Sequence, residues 1–237
     1  MTLEDVLSPS FSPSSRGRLT DRDLDRFPGG TLFHKVARAL CHAGCLPRKE
    51  LYEAWEMARR VRRLFRGGRV VDLGGGHGLL AQVMLLLDDS SSAALVVDKA
   101  LPASRAKVHE ALVQTWPKLS GRVMFVAGAL EDVDLQSTDV VVSSHACGAL
   151  TDLVLGRAVA ARARVAVLPC CHDLATCDPG PLAGWVPAPV AIDLVRAMRL
   201  EQQGYRVRTM AIPDSITPKN RLLLGSPEAA VLDRDCR

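Results

Sequence analysis

Between Arg69 and Leu80 the chain reads Arg-Val-Val-Asp-Leu-Gly-Gly-Gly-His-Gly-Leu-Leu, and few backbones can accommodate that run. A short apolar segment with an acid near its end reads as a buried strand, and the apolar residues from Leu79 onward open a helical pattern. Gly74, Gly75, Gly76 and Gly78 fill the turn between them, where the absence of a Cβ lets the chain turn sharply and leaves a bare backbone edge. Gly74, Gly76 and Gly78 form G-x-G-x-G. That pattern lacks the G-x-G-x-x-G spacing that seats a pyrophosphate on a helix N-terminus, so a dinucleotide is not the expected ligand.

A second acid supports the first. Ala94-Leu95-Val96-Val97-Asp98 is another apolar run, ending in a carboxylate at the top of the next expected parallel strand. An acid there can accept hydrogen bonds from ribose hydroxyls, although an Asp in that place can also simply cap the following helix. Beyond it the pattern alternates: helix 103–115, strand 123–126, strand 139–143, helix 148–160, strand 165–168 and helix 190–203. Such alternation predicts βαβ crossovers and a Rossmann-like, mostly parallel α/β sheet. Strands at 205–212 and 221–224, joined by a short loop, predict a C-terminal antiparallel hairpin.

Four segments are expected: a flexible stretch 1–28, mobile or draped over the domain, a helical segment 29–66, a main domain 67–226 and a tail 227–237. Helices are expected at 31–43 and 48–65. The second has Leu51, Ala54, Trp55, Ala58, Val61 and Leu64 on one face and Arg59, Arg60, Arg62, Arg63 and Arg66 on the other. Such an arginine run reads either as a solvated face or as a nucleic-acid surface. Net charge is +4 over 237 residues, which permits polyanion binding without demanding it. No apolar stretch is long enough to span a bilayer and Met1 to Asp25 has no secretory pattern, so no membrane association and a cytoplasmic location are expected. Seven cysteines, an odd number, read as reduced thiols. Oligomeric state is not legible.

Polar residues gather where the fourth and fifth strands end. The fourth runs through Ser143-Ser144-His145-Ala146-Cys147-Gly148-Ala149-Leu150-Thr151-Asp152, and the fifth through Leu168-Pro169-Cys170-Cys171-His172-Asp173. Open parallel sheets bind ligands at that rim. The glycine loop with its acid resembles the cofactor loop of class I S-adenosylmethionine (SAM) dependent methyltransferases. H-A-C-G-x-L-T-D and L-P-C-C-H resemble a family that contains tRNA acceptor-stem 2′-O-methyltransferases and methyltransferase-like proteins, among them the glutathione S-transferase C-terminal-domain proteins. Ile216 to Arg221, I-T-P-K-N-R, is similar to the second branch. The resemblance implies SAM as cofactor, held by Asp72, Gly74, Gly75, Gly76, Gly78, Asp98 and Ser143, with Glu131 and Asp132 as candidates for the adenine edge. It implies a substrate rim of Cys147, Cys170, Cys171, Asp173, Lys219, Asn220 and Arg221.

Two departures bear on the acceptor. Cys41-His42 and Cys45 lack the further ligands of the zinc modules that precede the catalytic domain in the tRNA branch. No N-P-P-Y or D-P-P-Y follows the fourth strand, which disfavours transfer to adenine N6.

His145 and His172 are the expected general bases, with Asp173 orienting His172, because imidazole titrates near neutral pH. A rival reading makes His145, Cys147, Cys170, Cys171 and His172 a zinc site. Adjacent residues on a strand point opposite ways, so Cys170 and Cys171 are not expected to ligate together, and no metal is assigned. The leading expectation is a methyltransferase acting on RNA through the arginine helix. Its alternatives are transfer to a protein or small molecule and a silent SAM-binding module.

Overall fold

The computed structural model describes residues 11–228. Two helices lead, α1 (Leu32–Ala43) and α2 (Arg48–Leu64). They are followed by β1 (Val70–Leu73), α3 (Leu79–Leu87), β2 (Ala94–Asp98), α4 (Arg105–Thr115), β3 (Val123–Ala127), β4 (Val140–Ser143), α5 (Ala149–Ala160), β5 (Arg164–Val167) and α6 (Ala188–Gln202). A hairpin of β6 (Tyr205–Ala211) and β7 (Arg221–Pro227) completes the fold. The sheet order is β3-β2-β1-β4-β5-β7-β6. β1 pairs in parallel with β2 on one side and β4 on the other, so the order reverses beside β1 and opens a crevice at its carboxyl end. β7 runs antiparallel between β5 and β6, as the terminal hairpin predicts.

Each central strand is covered on both faces, which explains their unbroken apolar runs. With the two-residue period, Val70, Val96, Val140 and Val142 face a core shared with α1, α2, α3 and α4. Val71, Leu73, Val97, Val141 and Val165 face the other core, with Val154, Leu155 and Ala158 of α5.

Of the segment expected to be flexible, residues 11–28 are laid firmly over the domain, and 1–10 lie outside the described residues, as do 229–237 of the tail. Leu19 and Phe27 are fully buried, and the Leu19 N–H donates to Leu46 O at 2.9 Å. Among the described residues, no helix is long and apolar enough to cross a membrane.

The arginine face of α2 is corrected by its packing. α3 is apolar all round and takes α2 as its cover, which rotates Met57, Glu53 and Arg62 into the interface and leaves Trp55 and Leu64 half-buried. Arg62 is 4% exposed. Its Nε donates to Met84 O at 3.1 Å and its Nη1 to Phe65 O at 3.3 Å, with Asp88 Oδ2 3.5 Å away. A guanidinium at the C-terminal end of α3 meets the last-turn Met84 carbonyl, which also accepts from the Asp88 N–H, and the negative end of the helix dipole. Burial nevertheless lowers its pKa to about 10, the Asp88 carboxylate working against the fall. Arg60 pairs with Glu56 and donates to Ala211 O at 3.0 Å. Only Arg59, Arg63 and Arg66 of the five remain exposed.

Arg62→Ala removes the buried cation shared by Asp88 and the Met84 and Phe65 carbonyls, and we expect a loss of about 3–5 kcal/mol in urea unfolding. Arg63→Ala, one residue on and exposed, should stay within about 0.5 kcal/mol of the parent.

Candidate functional site

The β1–α3 turn fits its sequence closely. Gly74, Gly76 and Gly78 have φ of 72°, 50° and 70°, in the left-handed region that favours glycine. The Gly74 N–H donates to Val97 O at 2.8 Å, which ties the turn to β2. A Cβ at Gly78 would stand 2.7 Å from Phe125 Cε1, so this glycine serves close packing of α3 on the sheet and lines no ligand cavity. A Cβ at Gly76 would meet nothing within 4 Å, because it would project into open space.

That space is a crevice made of two adjoining cavities. One of about 400 Å³ is bounded by Gly74, Gly75, Gly76, His77, Asp98, Ser144 and His145, with Glu50 and Ala54 of α2 closing its far side. A second, of about 550 Å³, is bounded by Gly74, Asp98, Lys99, Ala127, Gly128, Ala129, Leu130 and Glu131. Gly74, Asp98 and Leu150 border both, so the Asp98 carboxylate stands at the waist. The Gly76 N–H donates to Asp98 Oδ2 at 3.0 Å and the Ala100 N–H to Oδ1 at 3.3 Å. Both volumes fall within the range of small-molecule sites.

Four titratable side chains line the first cavity, Asp98, His145, Glu50 and His77, and the last two escaped the sequence reading. Their only signal was position: Glu50 begins a helix that precedes the sheet, and His77 occupies an x of the glycine motif. His77 Nε2 shares a hydrogen bond with Ser104 Oγ at 2.8 Å, and its Nδ1 lies 3.8 Å from Glu50 Oε2. Burial, with Glu53 nearby, pushes the Glu50 carboxyl up to about 7. Desolvation lowers His77 and His145 below the usual imidazole value; the proximity of the two rings adds to the fall at His77. Both rings are therefore neutral at physiological pH.

Several expected cofactor contacts have other work. Asp72 is 1% exposed beneath the loop, where a Cβ on Gly75 would come within 2.7 Å of its Cγ, so it cannot touch a ligand. Neither oxygen makes a side-chain hydrogen bond of normal geometry among the described residues. Burial raises its pKa to about 7, opposed by the Ala81 N–H and reinforced by Asp98. Ser143 is buried, its Oγ donating to Leu73 O at 2.5 Å and accepting from the Ala146 N–H at 3.2 Å. It stitches β4 to β1. Glu131 borders the second cavity, whereas Asp132 lies outside both.

The substrate rim divides similarly. The His172 side chain is 4% exposed, and its Nε2 bonds Asp193 Oδ1 at 2.8 Å, so its partner is not Asp173, whose Oδ1 instead accepts from the Ala175 N–H in a turn. Arg221 Nε donates to the same Asp193 at 2.7 Å, and Asn220 Nδ2 to Ile212 O at 3.1 Å. His172, Arg221 and Asn220 thus each have a partner within the fold. Cys147, Cys170 and Cys171 do come together: β5 ends at Val167, so Cys170 and Cys171 follow a loop rather than a pleat, and their Sγ atoms lie 3.8 Å apart. The expectation that they point apart fails because it applied strand geometry three residues too far.

A profile described as "Methyltransferase domain" matches residues 49–177, more than half of the chain. The chain belongs to this methyltransferase-domain family, and SAM is the cofactor that membership brings. The glutathione S-transferase C-terminal domain-containing protein of Xenopus laevis is 27% identical over 200 residues, covering 68% of this chain and 31% of that protein. The Homo sapiens protein of the same name is 24% identical over 200 residues, covering 68% of this chain and 30% of its own. The chain thus spans about a third of the length of these curated relatives. An O-methyltransferase family protein from Burkholderia thailandensis shares the fold, with a TM-score of 0.53, 19% identity and coverage of 96% of this chain and 68% of that one. The crevice fits SAM on its own evidence: a glycine loop with room where side chains would stand, and a carboxylate at its waist.

Asp98→Ala should weaken SAM binding by about 1–3 kcal/mol in calorimetry, the worth of hydrogen bonds to a charged acceptor. Asp72→Asn tests the buried acid. Asp72 ionises near 3.8 in the unfolded chain and near 7 in the fold, so within that window the folded state holds a proton that the unfolded chain has released. Stability then falls as pH rises, by up to about 1.4 kcal/mol per pH unit. Unfolding curves across that window should show the Asn variant losing this component of the slope and gaining on the parent toward pH 7.

Proposed function

We propose that the chain is a SAM-dependent methyltransferase whose acceptor is RNA. The observation that carries the enzymatic reading is the crevice itself, with a ribose acid at its waist and neutral His145 beside the glycine loop. Asp98 would hold the ribose, Glu131 and the 127–130 backbone the adenine side, and Glu50, Ser144 and the Gly74–Gly76 backbone the methionyl part. Bound SAM supplies an electrophilic methyl group on a sulfonium. An acceptor lone pair would take that methyl group, leaving the bonding electron pair on the cofactor sulfur. A hydroxyl or amine acceptor must shed a proton, and a ring nitrogen of His145 takes it. His145 is exposed to the crevice, and desolvation by the surrounding atoms holds its ring below the ordinary imidazole value, so the base is neutral at physiological pH.

RNA is favoured by the exposed Arg59 and Arg63 on α2, the helix whose first turns border the crevice, by Arg66 just beyond that helix, and by Lys219 at the rim. A protein or small-molecule acceptor is favoured by a different observation: Arg62 and Arg60 are committed to internal partners, so the basic surface is smaller than the sequence suggests.

His145→Ala should keep SAM affinity and lose about two to four orders of magnitude in single-turnover rate. In the parent, the acid limb of the rate profile should fall below the pH at which an ordinary histidine titrates. If RNA is the acceptor, its affinity should drop steeply with added salt, and the Arg59, Arg63 and Arg66 alanine variants should flatten that dependence. Salt-independent binding would transfer the proposal to the protein or small-molecule reading.

A further inference from the structure

We propose that Cys147, Cys170 and Cys171 form a three-thiolate binding site for zinc at the rim of the crevice. The three Sγ atoms all lie within 4.8 Å of one another, and all three are free thiols. They arrive from two loops that the fold fastens together. Cys147 lies in the β4–α5 loop, where Gly148 turns with a φ of 58°, and the Gly148 N–H donates to Cys171 O at 3.3 Å. A tetrahedral centre with Zn–S bonds of about 2.3 Å spaces its sulfurs by roughly 3.8 Å. Cys170 and Cys171 already stand 3.8 Å apart. Cys147 Sγ is 2.8 Å from Cys170 Sγ and must retreat by about 1 Å to reach that spacing, a small movement for an exposed residue beside a glycine turn.

The charges suit a cation. Three thiolates around a divalent ion leave one net negative charge, and Lys219 Nζ, 3.9 Å from Cys171 Sγ, stands ready to offset it. Zinc binds thiolates, so occupation of the site would displace the thiol protons. The donor set selects the ion, since thiolate ligands favour zinc and other soft metals over magnesium or calcium. Outer support is also present: Arg196 Nη2 donates to Gly148 O at 2.9 Å, and His172, next to Cys171, is anchored on Asp193. Cys147 is exposed, so the fourth coordination position falls to water or to a donor from solvent, as in zinc sites with three protein ligands. The inference stands apart from the methyl-transfer reading.

The test uses the full chain without a histidine tag, reduced and stripped with a chelator, then titrated anaerobically with Zn²⁺. Elemental analysis should find one zinc per chain, and zinc should hide three thiols from a thiol reagent until chelator returns them. Cys147→Ser, Cys170→Ser and Cys171→Ser should each weaken binding by on the order of a hundredfold or more, and Lys219→Ala by roughly tenfold. Cys45→Ser should leave it unchanged. Co²⁺ titration of the unmutated chain provides a second readout that needs no variant, through thiolate-to-metal absorption. Failure to retain zinc at micromolar concentration would overturn the proposal. So would zinc retention in Cys171→Ser, or a species two hydrogens lighter with Cys147 and Cys170 joined in the presence of zinc. SAM calorimetry on the same samples reports separately on the crevice.

Discussion

A single half-buried carboxylate, Asp193 of α6, holds the rim together. It accepts from His172 at 2.8 Å, Arg221 at 2.7 Å and Arg196 at 3.3 Å. Arg196, 1% exposed, reaches on to Asp152 of α5 and to Gly148 O. The loop after β5, the start of β7, helix α6 and the β4–α5 loop are thus joined through one cluster of charges. Burial alone would push Asp193 up, but the hydrogen bonds from His172 and Arg221 prevail and keep its carboxyl below the usual range. Removing one member of such a cluster leaves its partners charged and unpaired in the interior, which costs several kcal/mol. The two loops that carry the three cysteines are tied to this arrangement through Gly148 and His172.

The opposite side of the crevice rests on close approach. Gly75 sits over Asp72, and Gly78 sits against Phe125 and Val96, so the loop is pressed onto the sheet with no room for side chains at these two positions, while Gly76 faces open space. Ser143 fastens the end of β4 to the end of β1. Backbone N–H groups are thereby brought to the crevice while the acid of the motif is left underneath, and Asp98, Glu50 and Glu131 are the carboxylates that border it.

Asp72 and Asp193 have opposite linkage to pH. Asp72, raised in the fold, stabilises less as pH rises toward 7. Asp193, lowered in the fold, contributes stability above its unfolded value and loses it as pH falls through its depressed folded value. Asp72 is a cost carried beneath a ligand loop, and Asp193 is a gain at the rim, consistent with strain being kept close to functional surfaces.

The order of strands and helices, the switch point beside β1, the terminal hairpin and Asp98 were determined by sequence alone, because buried strands, glycine turns and helix periods are local signals carried by neighbouring residues. Tertiary structure decided the rest. Arg62 reads as part of a basic face, but the apolar surface of α3 drew it inside. His172 reads as a base beside Asp173, yet Asp193, 21 residues further along, claimed it. Glu50 and His77 became neighbours only when α2 folded over the glycine loop. Cys170 and Cys171 converge because β5 stops at Val167, a boundary set by pairing with β4 and β7 rather than by composition. Each of these outcomes depends on which distant groups compete for a buried charge or surface, and that competition is decided only when the chain has packed.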